Sequence, residues 1–331
     1  MGAKRVTQHR IFDLAITLSL IAIVSTLRAK LLPVGDESIV NTPTPIGLML
    51  QNLQDRIPTL SAIVWCISVM FAGLSVGRHA AKYSIYPAYT LMAIPILGVM
   101  AAGVIVSGDF LVSSAVLVLM LHATKYTHRC MMRTKNFSDL SLAMLCYGAL
   151  PLVFAPAAVL YVALPILVFT LYSSWRNWIV AVSSLLFPLL SVSYWGWCAG
   201  EDFLTSAELI YNSILTRSEF HLFSTFNPAS ILLLGVVIVM VMCAVSLILS
   251  DRYSLKVNSR AVMRYNSLLV AVYIGLFFLP SATATCFALL SVPVAMLVPL
   301  IFVRMGVGFT ETLYRLMLIA TAANILVMCW M

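Results

Sequence analysis

The chain has 331 residues, 62% of them hydrophobic and 10% charged, with 20 Lys and Arg against 12 Asp and Glu for a net charge of +8. An average soluble domain is about 45–50% apolar and about 25% charged, and its folded surface must be largely wetted. This composition excludes a soluble enzyme, a disordered chain and a nucleic-acid-binding domain, and leaves a polytopic membrane protein read as one domain over residues 1–331.

The basic N-terminus (Lys4, Arg5, His9, Arg10) leads into an apolar run, and no small-residue cleavage site follows around Thr26–Leu31. A retained first helix is therefore expected. Charge-free apolar runs place helices at 11–28, 59–77, 84–107, 110–124, 139–154, 157–173, 178–198, 229–250, 266–281, 283–303 and 309–330. The expected fold is an all-α transmembrane bundle of about eleven helices, each near the length a bilayer needs. Ala155-Pro156-Ala157 and Pro280-Ser281 are the natural turns of two tight hairpins, because proline breaks the helical ladder; each pair reads alternatively as one long kinked helix. The seven cysteines show no CxxC and no histidine at ligand spacing, and five lie inside apolar runs. They read as small hydrophobes, with neither a disulfide framework nor a metal site expected.

Lys and Arg set the orientation. With the N-terminus cytoplasmic, the inner segments hold Lys4, Arg5, Arg10, Arg78, Lys82, Lys125, Arg129, Arg133, Lys135, Arg176, Arg252, Lys256, Arg260, Arg264 and Arg304. The outer segments hold only Arg28, Lys30, Arg56 and Arg217. The positive-inside rule then gives a cytoplasmic N-terminus and a periplasmic C-terminus in a bacterial inner membrane. Asp36, Glu37, Asp55, Asp109, Glu201, Asp202, Glu208 and Glu219 all fall outside. The two long outer loops, 29–58 and 199–228, exceed what packing requires, and such loops tend to carry function.

In the first of these loops Asp36 and Glu37 follow the first helix directly. Adjacent carboxylates at a membrane surface suit a general base, or the oxygen ligands of a divalent cation; the plain alternative is a solvated Gly-Asp-Glu-Ser turn. Residues 46–53 read as a short interfacial helix. The second loop opens on Trp195 and Trp197, which fit an aromatic belt. Behind them Glu201 and Asp202, with Arg217 and His221, are candidate substrate-binding residues, the two bases suiting a phosphate. A belt followed by an interfacial helix at 203–217 explains the same residues without a substrate. On the inner face Lys125, His128, Arg129, Arg133 and Lys135 form one basic cluster, and Arg252, Lys256, Arg260 and Arg264 a second. Lys125, Arg129, Arg133, Arg252, Lys256, Arg260 and Arg264 are candidates for binding anionic lipid headgroups, although topology alone requires basic residues there. Asp13, His122 and the i,i+4 pair Glu311–Arg315 lie within a turn or two of an interface, so no charge is expected at mid-bilayer, which argues against an ion-driven transporter.

From Tyr83 to Trp178 the order of features is distinctive. Tyr83, Tyr86 and Tyr89 precede a hairpin; Asn136-Phe137-Ser138-Asp139 and Phe154-Ala155-Pro156 follow; Ser174-Trp175-Arg176-Asn177-Trp178-Ile179 opens the helix that contains Pro188. This stretch resembles an uncharacterised inner-membrane family of Bacteroidota. The layout also resembles the C-type membrane glycosyltransferases, whose first outer loop carries acidic catalytic residues. That resemblance implies Asp36 or Glu37 as base and a polyprenyl-phosphate sugar as donor; no cofactor is expected, a divalent cation entering only if the transferase reading holds. The chain departs from that pattern in lacking the fuller acidic motif and a large outer C-terminal domain. Three functions stay open: a lipid-linked sugar transferase at the periplasmic face, a non-catalytic subunit or scaffold of an envelope complex, and a lipid or small-molecule transporter. The expected partners are the bilayer, a lipid-linked sugar or anionic lipid, and a protein in the scaffold case. The transferase reading expects Asp36 and Glu37 to share a groove with Glu201, Asp202 or Arg217.

Overall fold

The computed structural model describes residues 44–86, 90, 92–104, 108–132, 137–172, 174–218, 226–250 and 256–330, and these form helices joined by short turns. In chain order they are α1 (Pro45–Arg56), α2 (Pro58–Lys82), α3 (Ala93–Gly98) continuing as a π-helical turn (Val99–Gly103), and α4 (Phe110–Met132). Next come α5 (Phe137–Val153), a 3-10 turn (Ala155–Val159), α6 (Leu160–Tyr172), α7 (Trp175–Cys198) and α8 (Thr205–Leu215). The chain continues with α9 (Pro228–Ser250), α10 (Val257–Leu276), α11 (Cys286–Leu297), α12 (Pro299–Arg304) and α13 (Val307–Trp330). Among the described residues five segments are long and apolar enough to cross a membrane: α2, α4, α7, α9 and the α11–α12 pair. They fit a membrane protein.

Helix α11 is the axis of the fold. All twelve of its residues are buried, as expected for a helix apolar on every side, and it packs on α2, α3, α4, α9 and α10. Helix α7 is the opposite case, with only 17% of its apolar stretch buried. Its large exposed side chains include Trp175, Ile179, Phe187 and Leu190, with Tyr194, Trp195 and Trp197 at the far end. The aromatic groups at its two ends are 22 residues apart, about 33 Å along a helix, close to the ~30 Å hydrocarbon thickness. Aromatic rings at both ends of such a helix sit where headgroups would.

Small residues let α5 and α7 cross closely. A Cβ added at Gly148 would lie 2.0 Å from the Leu185 carbonyl oxygen, so only glycine fits. The Ser141 and Ser184 hydroxyls meet at 2.8 Å across the same pair of helices. Close backbone approach at small residues with a polar bond beside it is how helices associate where no water drives them together.

The expected helices recur with four differences, the first being that the helix expected to stop at 77 runs on to Lys82. The span expected at 84–107 is helical among the described residues only over 93–103, and this piece is entirely buried. Walled in by protein, it needs neither full length nor regular geometry. Asn324 of α13 donates to the carbonyls of Gly103 (2.7 Å) and Val104 (3.1 Å), which the π turn leaves over, and accepts from Ser230 at 2.6 Å. The helix expected to stop at 124 runs on to Met132, so Lys125, His128 and Arg129 are helical rather than in a loop. The helix expected at 266–281 begins earlier, at Val257. Both doubtful stretches prove to be pairs of helices. Phe154 is extended (φ −143°, ψ 105°) and ends α5 before the 3-10 turn, and residues 277–285 separate α10 from α11. The expected helix at 11–28 lies outside the described residues.

Candidate functional site

The helix ends gather buried polar groups at two places, one acidic and one basic. At the acidic end α1 lies across the start of α4. Its own start is capped by Thr44, whose Oγ1 accepts from Gly47 N–H at 3.1 Å and donates to the Val153 carbonyl at 3.0 Å, fastening α1 to the end of α5. At its other end the Gln54 side chain donates to the Gly108 carbonyl (2.8 Å) and accepts from Leu111 N–H (3.1 Å), satisfying one of the amides that a helix start leaves unpaired. Asp109 is held beneath this bridge, 6% exposed. Burial, and next the charge of Asp55, raise its carboxyl to about 6, against a hydrogen bond from Gln51 that favours the charged form. A carboxylate titrating there is ionised at neutral pH yet a stronger base than an ordinary Asp.

The segment around α8 reaches the same place, since α8 packs on α1, on α7 and on the 3-10 turn. The candidate residues of that segment divide. Glu201 and Asp202 precede α8 and Arg217 follows it, all three exposed, and α8 itself is eleven residues, about 16 Å. Glu201 folds back over Gly196 and its N–H donates to the Gly196 carbonyl at 3.0 Å, while the Asp202 carbonyl takes Thr205 N–H at 3.1 Å. Arg217 adjoins Ser218, whose hydroxyl donates to Pro280 and Ala282 carbonyls at 3.1 and 2.5 Å. The acids and the arginine therefore stand at opposite ends of α8. Asp36, Glu37 and His221 lie outside the described residues.

At the basic end, α2, α4, α5 and α10 converge. Their contribution is a set of buried neutral polar groups: His79, His128, Tyr147, Tyr265 and Asn266. The His79 and His128 rings are 5.4 Å apart and tilted by 34°, and Tyr83 lies 4.7 Å from His79. Asn266 Nδ2 is 3.0 Å from His128 Nε2 and 2.8 Å from the Val262 carbonyl. Tyr265 stands edge-on to His128 at 6.3 Å and donates to the Tyr147 hydroxyl at 2.8 Å. Cations surround this group: Lys82, Lys125 and Arg129 all act electrostatically on His79. Arg129 pairs with the buried Asp139 at 3.7 Å and lies 5.6 Å from the centre of the Tyr126 ring.

The headgroup candidates divide in a similar way. Lys125, Arg129 and Arg260 are half-buried, whereas Lys256 and Arg264 are exposed; Arg133 and Arg252 lie outside the described residues. Sequence reasoning overlooked His79 and Asn266 altogether, and Asp109 figured only as an outer acid. The available signal was a polar side chain inside an otherwise apolar helix, which a bundle tolerates only facing its interior. No family model, no characterised protein and no solved structure matches the chain.

Proposed function

We propose that this chain is a multi-pass membrane protein that acts on a lipid-borne substrate at its acidic end, as a polyprenyl-phosphate sugar transferase-like protein working at the periplasmic face. The observation that carries the reading is Asp109. It is a carboxylate buried under α1, beside Asp55, and its pKa is raised to about 6. Transfer of a sugar to a hydroxyl needs a base that takes the hydroxyl proton as the new bond forms, and such a carboxylate is suited to that step at neutral pH. Two further features support the reading. The two segments expected on the outer side touch there, through α1 and α8. Both are short helices with exposed apolar side chains, Leu48, Met49 and Leu53 on α1 and Tyr211 and Leu215 on α8, which suit the headgroup region where a lipid-linked donor would present its sugar. Asp36 and Glu37 remain proposed as further acids of this face, with Glu201, Asp202, Arg217 and His221 as contacts to the phosphate or sugar. A divalent cation held by these carboxylates belongs to the same proposal.

The test is complementation of a deletion strain by Asp109→Asn, with lipid-linked sugars profiled and protein level checked in membranes. The expected result is loss of function at normal protein level with accumulation of a lipid-linked donor. Full function with unchanged lipid-linked sugars contradicts the proposal.

A further inference from the structure

Asn266 determines which nitrogen of His128 carries its proton. Its Nδ2 donates to the Val262 carbonyl at 2.8 Å, so reversing the amide would set oxygen against oxygen. The other Nδ2 hydrogen is then directed at His128 Nε2, 3.0 Å away. Nε2 is therefore the accepting nitrogen and the ring proton sits on Nδ1. This Nδ1–H is buried without a hydrogen-bond partner among the described residues, as is Nε2 of the neighbouring His79. Two neighbouring imidazole rings thus each leave a nitrogen in the interior with its bond unmade among the described residues. A buried polar group left so costs about 1–3 kcal/mol, and in a native protein it calls for an occupant.

The surrounding charge selects the occupant. Lys82, Lys125 and Arg129 act on His79, and among the described residues the acid of this group, Asp139, is shared with Arg129 at 3.7 Å. Three cations repel a metal ion and attract an anion. The buried His128 Nδ1–H, rimmed by Lys and Arg, matches an oxygen of a phosphate, which accepts several charge-assisted hydrogen bonds at once. Lys125 and Arg129 are half-buried, so they connect the imidazoles to the basic surface of the bundle.

We infer that His79 and His128, with Lys125 and Arg129, form a binding site for a phosphate group, carried by a lipid as an ester or arriving as free phosphate. The site lies on the inner side by the charge pattern, at the other end of the bundle from Asp109, and does not depend on the transferase reading.

The experiment uses the full chain in phosphatidylcholine nanodiscs, titrated with inorganic phosphate in one arm and reconstituted with phosphatidic acid in the other. Occupancy is read by native mass spectrometry and by the 15N shifts of the histidine side chains. One phosphate group is expected per chain, with a shift of His128 Nδ1 on binding. His79→Leu should weaken binding tenfold or more, and Arg78→Gln, an exposed cation of the same end, less than twofold. Occupancy by phosphatidic acid alone assigns the group to a lipid, and occupancy by inorganic phosphate assigns it to a soluble source; either supports the site. Absence of binding in both arms overturns it, and so does equal weakening by His79→Leu and Arg78→Gln. The wild-type imidazole shifts decide the matter even where a histidine variant fails to fold: shifts unmoved at saturating phosphate and phosphatidic acid contradict the site.

Discussion

The acidic and basic ends of the bundle bury polar groups by different means. At the acidic end a single carboxyl is covered by a short helix, and that helix is tied down by the bonds of Thr44 and Gln54. At the basic end no such covering helix occurs among the described residues. Neutral rings and an amide project from four helices into the interior, and two of their nitrogens remain unpaired among the described residues. The first arrangement perturbs one acid and fixes its surroundings. The second leaves hydrogen-bonding capacity unused beside positive charge. The difference teaches that a buried polar group points to proton transfer when it is titratable and enclosed, and to ligand binding when its own bonds are incomplete.

Both ends depend on the crossing of α5 and α7, so the largest effect is expected there. Gly148→Val drives a side chain into the Leu185 carbonyl and is expected to abolish folded protein, checked by monodispersity in detergent. Ser141→Ala removes only the neighbouring hydroxyl bond and should cost about 1 kcal/mol. At the acidic end Gln54→Leu takes the acceptor from Leu111 N–H and one of two donors from the Gly108 carbonyl, which keeps Phe110 N–H. It should lower stability by about 2 kcal/mol, and faster hydrogen exchange confined to α1 and the first turn of α4 would show that the lid has lifted. At the basic end Tyr265→Phe deletes one donor to Tyr147 and should cost about 1 kcal/mol, read as a small drop in melting temperature. A drop as large as that of Gln54→Leu would mean that the two ends do not differ in the way described.

Much of this fold was legible in the residues, for reasons the structure makes plain. Apolar runs located the helices because a helix that meets lipid must be apolar over its whole length, and α2, α7, α9 and α13 lie where those runs do. Charge misled at helix ends: Lys125 and Arg129 looked like loop residues, yet their long apolar stems let α4 continue to Met132, as snorkelling side chains allow. The buried piece at 93–103 was the least legible, since its length depends on neighbours that no local pattern encodes. The candidate sites were legible where they carried charge and hidden where they did not. Asp109 was recognisable as an acid next to a helix start, but its enclosure depends on Gln51 and Gln54 of a helix more than fifty residues away. His79 and Asn266 come from separate helices, and only packing joins them to His128.

The central claim concerns the state of Asp109, and the most direct measurement compares the melting of the wild-type chain and Asp109→Asn from pH 4 to pH 8. Burial and Asp55 raise the folded-state value from 3.8 to about 6, so between those values the folded protein holds the proton more than the unfolded chain does. Stability should therefore fall as pH rises through this window. The cost of the buried carboxylate, about 3 kcal/mol from the size of that shift, is fully present above pH 6. Asp109→Asn should thus melt higher than wild type at pH 8, with the difference shrinking towards zero at pH 4. Parallel curves across the whole range would contradict the account, because they would mean that Asp109 titrates as a solvent-exposed acid.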